Sequence, residues 1–160
     1  MKHSLFLLLS CIITTSCDIS KDQKEQNIIP PKRVVKFFEN YNKQWSNGNV
    51  ETIVNDIYDL PMSLYAQDSI HTWKSDDQVR GFLSSTFNNL ELNNYGFSVI
   101  NKWENYREDK KYIIIEMNFT RFFKDSTIMG DKFRKATYIL RKSEGNLKIS
   151  ALIPHSTIEQ

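Results

Sequence analysis

Cysteine is missing from everything after position 17, so the folded part of this 160-residue chain can carry no disulfide, thiolate metal site or cysteine nucleophile. Histidine is nearly as scarce, with only His71 and His155 beyond His3. Five glycines leave little material for a phosphate-cradling loop, and there is no Gly-x-Ser-x-Gly elbow and no His-Glu-x-x-His pair. Neither a metal nor a cofactor is therefore expected. Charge of one sign is lacking too: 21 Lys and Arg stand against 19 Asp and Glu, interspersed, for a net charge of +2. No basic stripe tracks a phosphate backbone, so nucleic acid is not an expected partner. What remains is 40% hydrophobic and 12% aromatic, enough for one domain with a core plus a short extension.

The first residues read as a targeting segment. Met1-Lys2-His3 is a short positive start, followed by the apolar run from Leu5 through Ile13 and then Thr14-Thr15-Ser16-Cys17. The run is shorter than the roughly 20 apolar residues a spanning helix needs and fits a secretory signal peptide. Small residues before a cysteine and a polar tract after it resemble the processing site of a bacterial lipoprotein, although Thr14 stands where such sites usually carry Leu. Leu8-Leu9-Ser10-Cys11 offers a second cysteine but leaves a very short apolar run. The resemblance implies a signal peptide over 1–16, lipidation at Cys17, and attachment to a membrane of the cell envelope. Residues 17–31 form a polar tether without apolar period.

The folded region is organised around KKYIIIEMNFTRFFK, residues 110–124. Ile113, Ile115, Met117, Phe119 and Phe123 fall on one face and Glu116, Asn118 and Thr120 on the other, the period of a long strand with one dry side. Arg121 interrupts that dry side. Upstream, Pro30-Pro31 opens a helix with Val34, Phe38, Tyr41 and Trp45 on its buried stripe, and Gly48 stops it. Asn49 caps a second, shorter helix carrying Val50, Ile53, Val54 and Ile57, which Pro61 is expected to end. Short extended pieces over 62–67 and 70–73 flank an Asp68-Ser69 turn. Ser75 and Gln78 make a capping box for a third helix with Val79, Phe82, Leu83, Phe87 and Leu90. Strands over 95–107, 110–124 and 132–142 follow, then a last strand expected to turn Leu147, Ile149, Ala151 and Ile153 inward. Helices followed by antiparallel hairpins make an α+β chain.

This order, with Trp45-Ser46-Asn47-Gly48-Asn49 at the end of the first helix and the closing hairpin over 136–149, resembles the nuclear transport factor 2-like superfamily, which includes ketosteroid isomerases and SnoaL-like polyketide cyclases. The resemblance covers roughly residues 32–156, leaving 157–160 as a tail. It departs at Leu147, where the family usually has an aromatic, and at Asn49, where it has an acidic residue. It implies three N-terminal helices packed on a strongly curved, mainly antiparallel sheet around a conical cavity. The hydrogen-bonding tyrosine of the isomerases falls on Tyr41. Their general-base aspartate falls on Tyr65, and a phenol does not replace a carboxylate as base at neutral pH.

On such a fold Tyr41, Trp45, Tyr58, Tyr65, Trp73, Trp103, Phe119 and Arg121 are the candidate cavity residues. Arg121 either meets an anionic ligand or reaches water at the cavity mouth, and Tyr41 either donates to a ligand or serves as core. With no base in view, the expected function is a lipid-anchored envelope protein that binds a small apolar molecule or a protein partner without catalysis. A SnoaL-like isomerase or cyclase using Tyr41 with Asp68 or His71 is the alternative. A second is an assembly module that dimerises through its sheet, with Tyr112, Ile114 and Phe122 as the apolar patch.

Overall fold

Residues 28–143 and 145–155 are described by the computed structural model of the protein. The signal peptide, Cys11, Cys17, the tether through residue 27 and the tail 157–160 lie outside the described residues. Helix α1 (Lys32–Ser46) follows Pro31 directly and buries Val34, Phe38 and Tyr41. The chain turns at Gly48, whose φ of +62° suits a residue without a side chain. Asn49 then caps α2 (Val50–Thr52), its side chain accepting from the Thr52 N–H. This element runs on as a π-helical turn, Ile53–Ile57, that buries Ile53, Val54 and Ile57.

Pro61 does not end that helix. The boundary is Tyr58, where β1 (Tyr58–Tyr65) begins, and Pro61 lies inside the strand. The pairing of β1 with the last strand is irregular between Tyr58 and Ser63, so the missing proline N–H is tolerated there. After β2 (Ile70–Trp73), α3 (Asp76–Leu92) opens with Ser75 Oγ accepting from the Gln78 N–H. Gln78 reaches back to the Lys74 N–H at 2.8 Å, one residue beyond the usual capping box.

Four long strands complete the chain: β3 (Tyr95–Glu108), β4 (Tyr112–Phe123), β5 (Arg134–Ser143) and β6 (Asn146–Pro154). They form an open six-stranded sheet in the order β2-β1-β6-β5-β4-β3, antiparallel except for the β1/β6 pair. Register shifts in β3 near Gly96, Asn101 and Glu104 bend the sheet around the helices, as extra residues in one strand of a pair do. A further shift between Ile139 and Leu140 corrects the reading of the last strand. It sets Leu152, not Ile153, opposite Tyr138, and Leu152 packs on the core.

Along β4 the dry face is buried at Ile113, Ile115 and Met117, then opens at Phe119 and Arg121. The core is therefore dense at one end of this strand and thin at the other. On the opposite face, Tyr112 and Ile114 lie at one end, while Phe122 stacks on Phe97 (4.9 Å) at the other. Glu116 and Asn118 separate them, with Lys135 Nζ 3.3 Å from Glu116. The single apolar patch expected from the sequence is thus divided in two.

Gly96 sits at the thin end. A Cβ there would lie 2.7 Å from the Phe123 carbonyl oxygen and 2.9 Å from its carbon, both rigid backbone. Gly96→Ala is expected to cost about 1–3 kcal/mol by forcing β3 and β4 apart. Gly81→Ala, with open space around it in mid-helix, is expected to gain roughly 0.5–1 kcal/mol from helix propensity. Urea unfolding of the two variants checks the contrast in sign.

Candidate functional site

Between the second half of α1 and strands β3–β5 lies a hollow of about 40 Å³, partly open to solvent. Its roof is Tyr41, Asn42 and Trp45, which successive helical turns place on one side of α1. Its floor is Ser98 and Ile100 of β3, Met117, Phe119 and Arg121 of β4, and Tyr138 of β5. Pairing of Ser98 with Arg121 and of Ile100 with Phe119 sets these side by side. The roof is held to the floor by polar contacts. Asn42 Nδ2 donates to the Ser98 carbonyl at 2.6 Å, and the Ser98 N–H donates to Ser46 Oγ at 3.3 Å.

Pockets that enclose a drug-sized ligand measure roughly 300–1,000 Å³, so this hollow takes a functional group and not a whole multi-ring molecule. The cone above it is filled by the protein's own aromatics. Phe38 meets Tyr138 at 5.1 Å and Trp103 at 5.5 Å, both edge-on, and Tyr41 meets Trp45 at 5.8 Å.

Of the residues expected to line the cavity, Tyr41, Trp45, Phe119 and Arg121 do so. The others stand away from this hollow. Tyr58 stands behind the roof, its hydroxyl 3.3 Å from that of Tyr41, and Trp103 packs against Phe38. Trp73 stacks on Phe82 at 4.2 Å, and Tyr65 is 40% exposed. Both belong to β1 and β2, at the sheet edge farthest from β3 and β4. Asp68 and His71 are exposed on the same hairpin, with His71 Nε2 2.9 Å from Ser69 Oγ and its ring over Trp73. The proposed acid/base pair is therefore not assembled with Tyr41, and no carboxylate or imidazole lines the hollow.

Asn42, Ser98, Ile100, Met117 and Tyr138 were not among the expected lining residues. Met117 carried a signal, since it shares the face of Phe119. Ser98 and Ile100 carried none, because the bulges of β3 scramble its alternation.

Arg121 is the unusual member. Its Nε is buried and has no acceptor, and among the described residues no carboxylate pairs with it. The guanidinium lies 5.8 Å from the Phe119 ring centroid. Burial lowers its pKa from the ordinary arginine value, and the charge of Arg134 lowers it further. Arg134 also has a buried Nε without acceptor, although its Nη2 reaches the Met129 carbonyl at 3.3 Å.

The phenols behave oppositely. Burial raises the pKa of Tyr41, Tyr58 and Tyr138, so each remains a neutral hydroxyl able to donate. Because the folded values exceed the unfolded value near roughly 10, this contribution to stability is intact below that pH and is lost as pH rises through the folded values. Alkaline titration followed by tyrosinate absorbance and near-ultraviolet dichroism should show these three ionising only as the fold is lost. Their ionisation in a folded protein would contradict their burial.

A family profile described as "NTF2-like protein (DUF6841)" matches residues 31–157. No curated protein matches the chain significantly. Among solved structures, an NTF-2 like protein of unknown function from Shewanella oneidensis is 10% identical, with a TM-score of 0.60 over 80% of this chain and 100% of that one. An NTF2-like protein with a cystatin-like fold from Novosphingobium aromaticivorans is 8% identical, with a TM-score of 0.61 over 76% and 78%. A domain of unknown function with a cystatin-like fold from Nostoc punctiforme is 10% identical, with a TM-score of 0.61 over 79% and 76%. At such identities these likenesses speak for the fold alone.

Proposed function

The chain belongs to the NTF2-like family, and on that premise we propose that it is a binding domain that holds a small molecule in the hollow under α1 without converting it. The observation that carries this reading is the composition of the lining. It offers a neutral phenol that can donate a hydrogen bond and a permanent cation, but no group that is basic at neutral pH. Such a site can orient and polarise a ligand, whereas removing a proton from carbon needs a positioned base. The small volume adds that only one end of the ligand is enclosed.

The proposal extends to where the domain works. The apolar leader and Cys17 support a lipid anchor that holds the domain beside a membrane of the cell envelope, with the polar stretch up to Asn27 as spacer. More than one acyl chain at Cys17 makes that attachment lasting.

Native mass spectrometry of the full chain extracted from its own host's membranes tests both parts. A co-purifying small molecule at one per chain, on a protein starting at an acylated Cys17, is the expected result. Persistent turnover of a released ligand into a second compound would contradict binding without conversion. A chain recovered in the soluble fraction with its leader cleaved elsewhere would contradict the anchor.

A further inference from the structure

We infer that the ligand end enclosed by the hollow is the carboxylate of a small amphiphilic monocarboxylic acid, held by the Arg121 guanidinium, with its hydrocarbon part leaving through the open side. This rests on the reading that the hollow is the binding site, and it names the chemical class that site takes.

Arg121 carries the inference. Arg121 is half-buried, with its Nε withdrawn from water, and a polar group held out of water without an acceptor is costly. Its Nε–H points at no acceptor, and no carboxylate of the described chain approaches it. The neighbourhood adds to the imbalance. Arg134 stands opposite Phe119 on β5, so it is a diagonal neighbour of Arg121 across the strand pair, at roughly 7–8 Å between backbones. It too has a buried Nε without acceptor. An anion at Arg121 supplies the missing acceptor and offsets the repulsion between the two guanidiniums.

The other walls define which anion. One cation lines the hollow, which suits a single negative charge, and the flat fork of a guanidinium matches the two oxygens of a carboxylate. The Tyr41 hydroxyl, which meets the phenols of both Tyr58 and Tyr138, can accept from one of them and donate to a carboxylate oxygen. Trp45, Ile100, Met117 and Phe119 give the hollow an apolar side beside the neutral polar groups of Asn42, Ser98 and Tyr138, so hydrocarbon can follow the headgroup and no second cation meets a doubly charged phosphate. A volume of about 40 Å³ fits a headgroup alone.

Fluorescence of Trp45 at the hollow reports occupancy in titrations of the full-length chain with hexanoate, hexanamide and hexyl phosphate. Hexanoate should bind saturably, hexanamide at least tenfold more weakly, and hexyl phosphate no more tightly than hexanoate. Arg121→Gln should weaken hexanoate tenfold or more and hexanamide much less, so that the preference for the acid is lost. Should that variant fail to fold, Arg121→Lys, which keeps the charge but not the fork, should retain binding at an intermediate strength, and the comparison of the three probes on the unaltered chain decides by itself. Equal affinity for hexanoate and hexanamide overturns the carboxylate while leaving the binding reading in place. Tighter binding of hexyl phosphate overturns it in favour of a dianion. No response to any probe, together with a ligand-free native mass spectrum, overturns both.

Discussion

Arg121→Met is expected to make the ligand-free protein more stable, by about 1–4 kcal/mol, while removing its preference for a carboxylate over an amide. The side chain is half-buried on the dry face of β4, its Nε is withdrawn from water without an acceptor, and its guanidinium has no countercharge among the described residues. Methionine has a similar length, no polar atoms to satisfy, and enough flexibility to pack between Phe119 and Tyr138. In a domain of this size each kcal/mol corresponds to roughly 2–4 °C in Tm, so thermal unfolding resolves the gain. A change of this kind, stability rising as binding is lost, separates a functional cation from a structural one. Destabilisation by more than about 1 kcal/mol would instead mean that Arg121 holds the strands together through contacts the fold depends on.

Phe38→Ala should give the largest loss, about 3–5 kcal/mol. Phe38 is fully buried at the centre of the cone, edge-on to Phe37, Tyr41, Trp103 and Tyr138, and it ties α1 to β3 and β5. Against a total stability of roughly 5–15 kcal/mol for a domain, that loss leaves a substantial fraction unfolded near physiological temperature. Phe97→Ala removes a ring of the same size from the outer stack with Phe122 and is expected to cost no more than about 1 kcal/mol. Urea midpoints of the two variants compare core and outer face directly. Similar losses would mean that the cone is not where the fold's packing energy is concentrated.

Much of the fold was legible because its elements are periodic. The stripe Val34, Phe38, Tyr41 on α1 and the alternation Ile113, Ile115, Met117 on β4 both appear as buried faces, since the backbone geometry of each element leaves its side chains no other arrangement. Pro61 misled because a proline after a helical pattern reads as a stop, whereas here it occupies an irregular position inside β1. Ile153 misled because the register shift around Ser150 brings Leu152 onto the core in its place.

The site was legible only in part. Arg121 announced itself by breaking a dry face, and Tyr41 and Trp45 by sharing the stripe that overlies it. Tyr65 and Trp73 were placed beside them by the resemblance to the family's fold, but strand order decides neighbours across a sheet. That order sends β1 and β2 to the far edge. The small size of the hollow had no sequence signal at all, because it depends on how Phe38, Trp103 and Tyr138 interlock. It is also what moves the expected ligand from an enclosed apolar molecule to an acid held by its headgroup.

The most direct measurement is the arginine Nε–H spectrum of the protein by heteronuclear NMR, recorded with and without hexanoate. Arg80, already paired with Glu51 at 2.7 Å, serves as the internal reference. The Arg121 Nε–H should shift and exchange more slowly with water as hexanoate saturates, while Arg80 stays in place. An Arg121 signal unmoved at hexanoate concentrations that displace signals elsewhere on the surface would contradict the account.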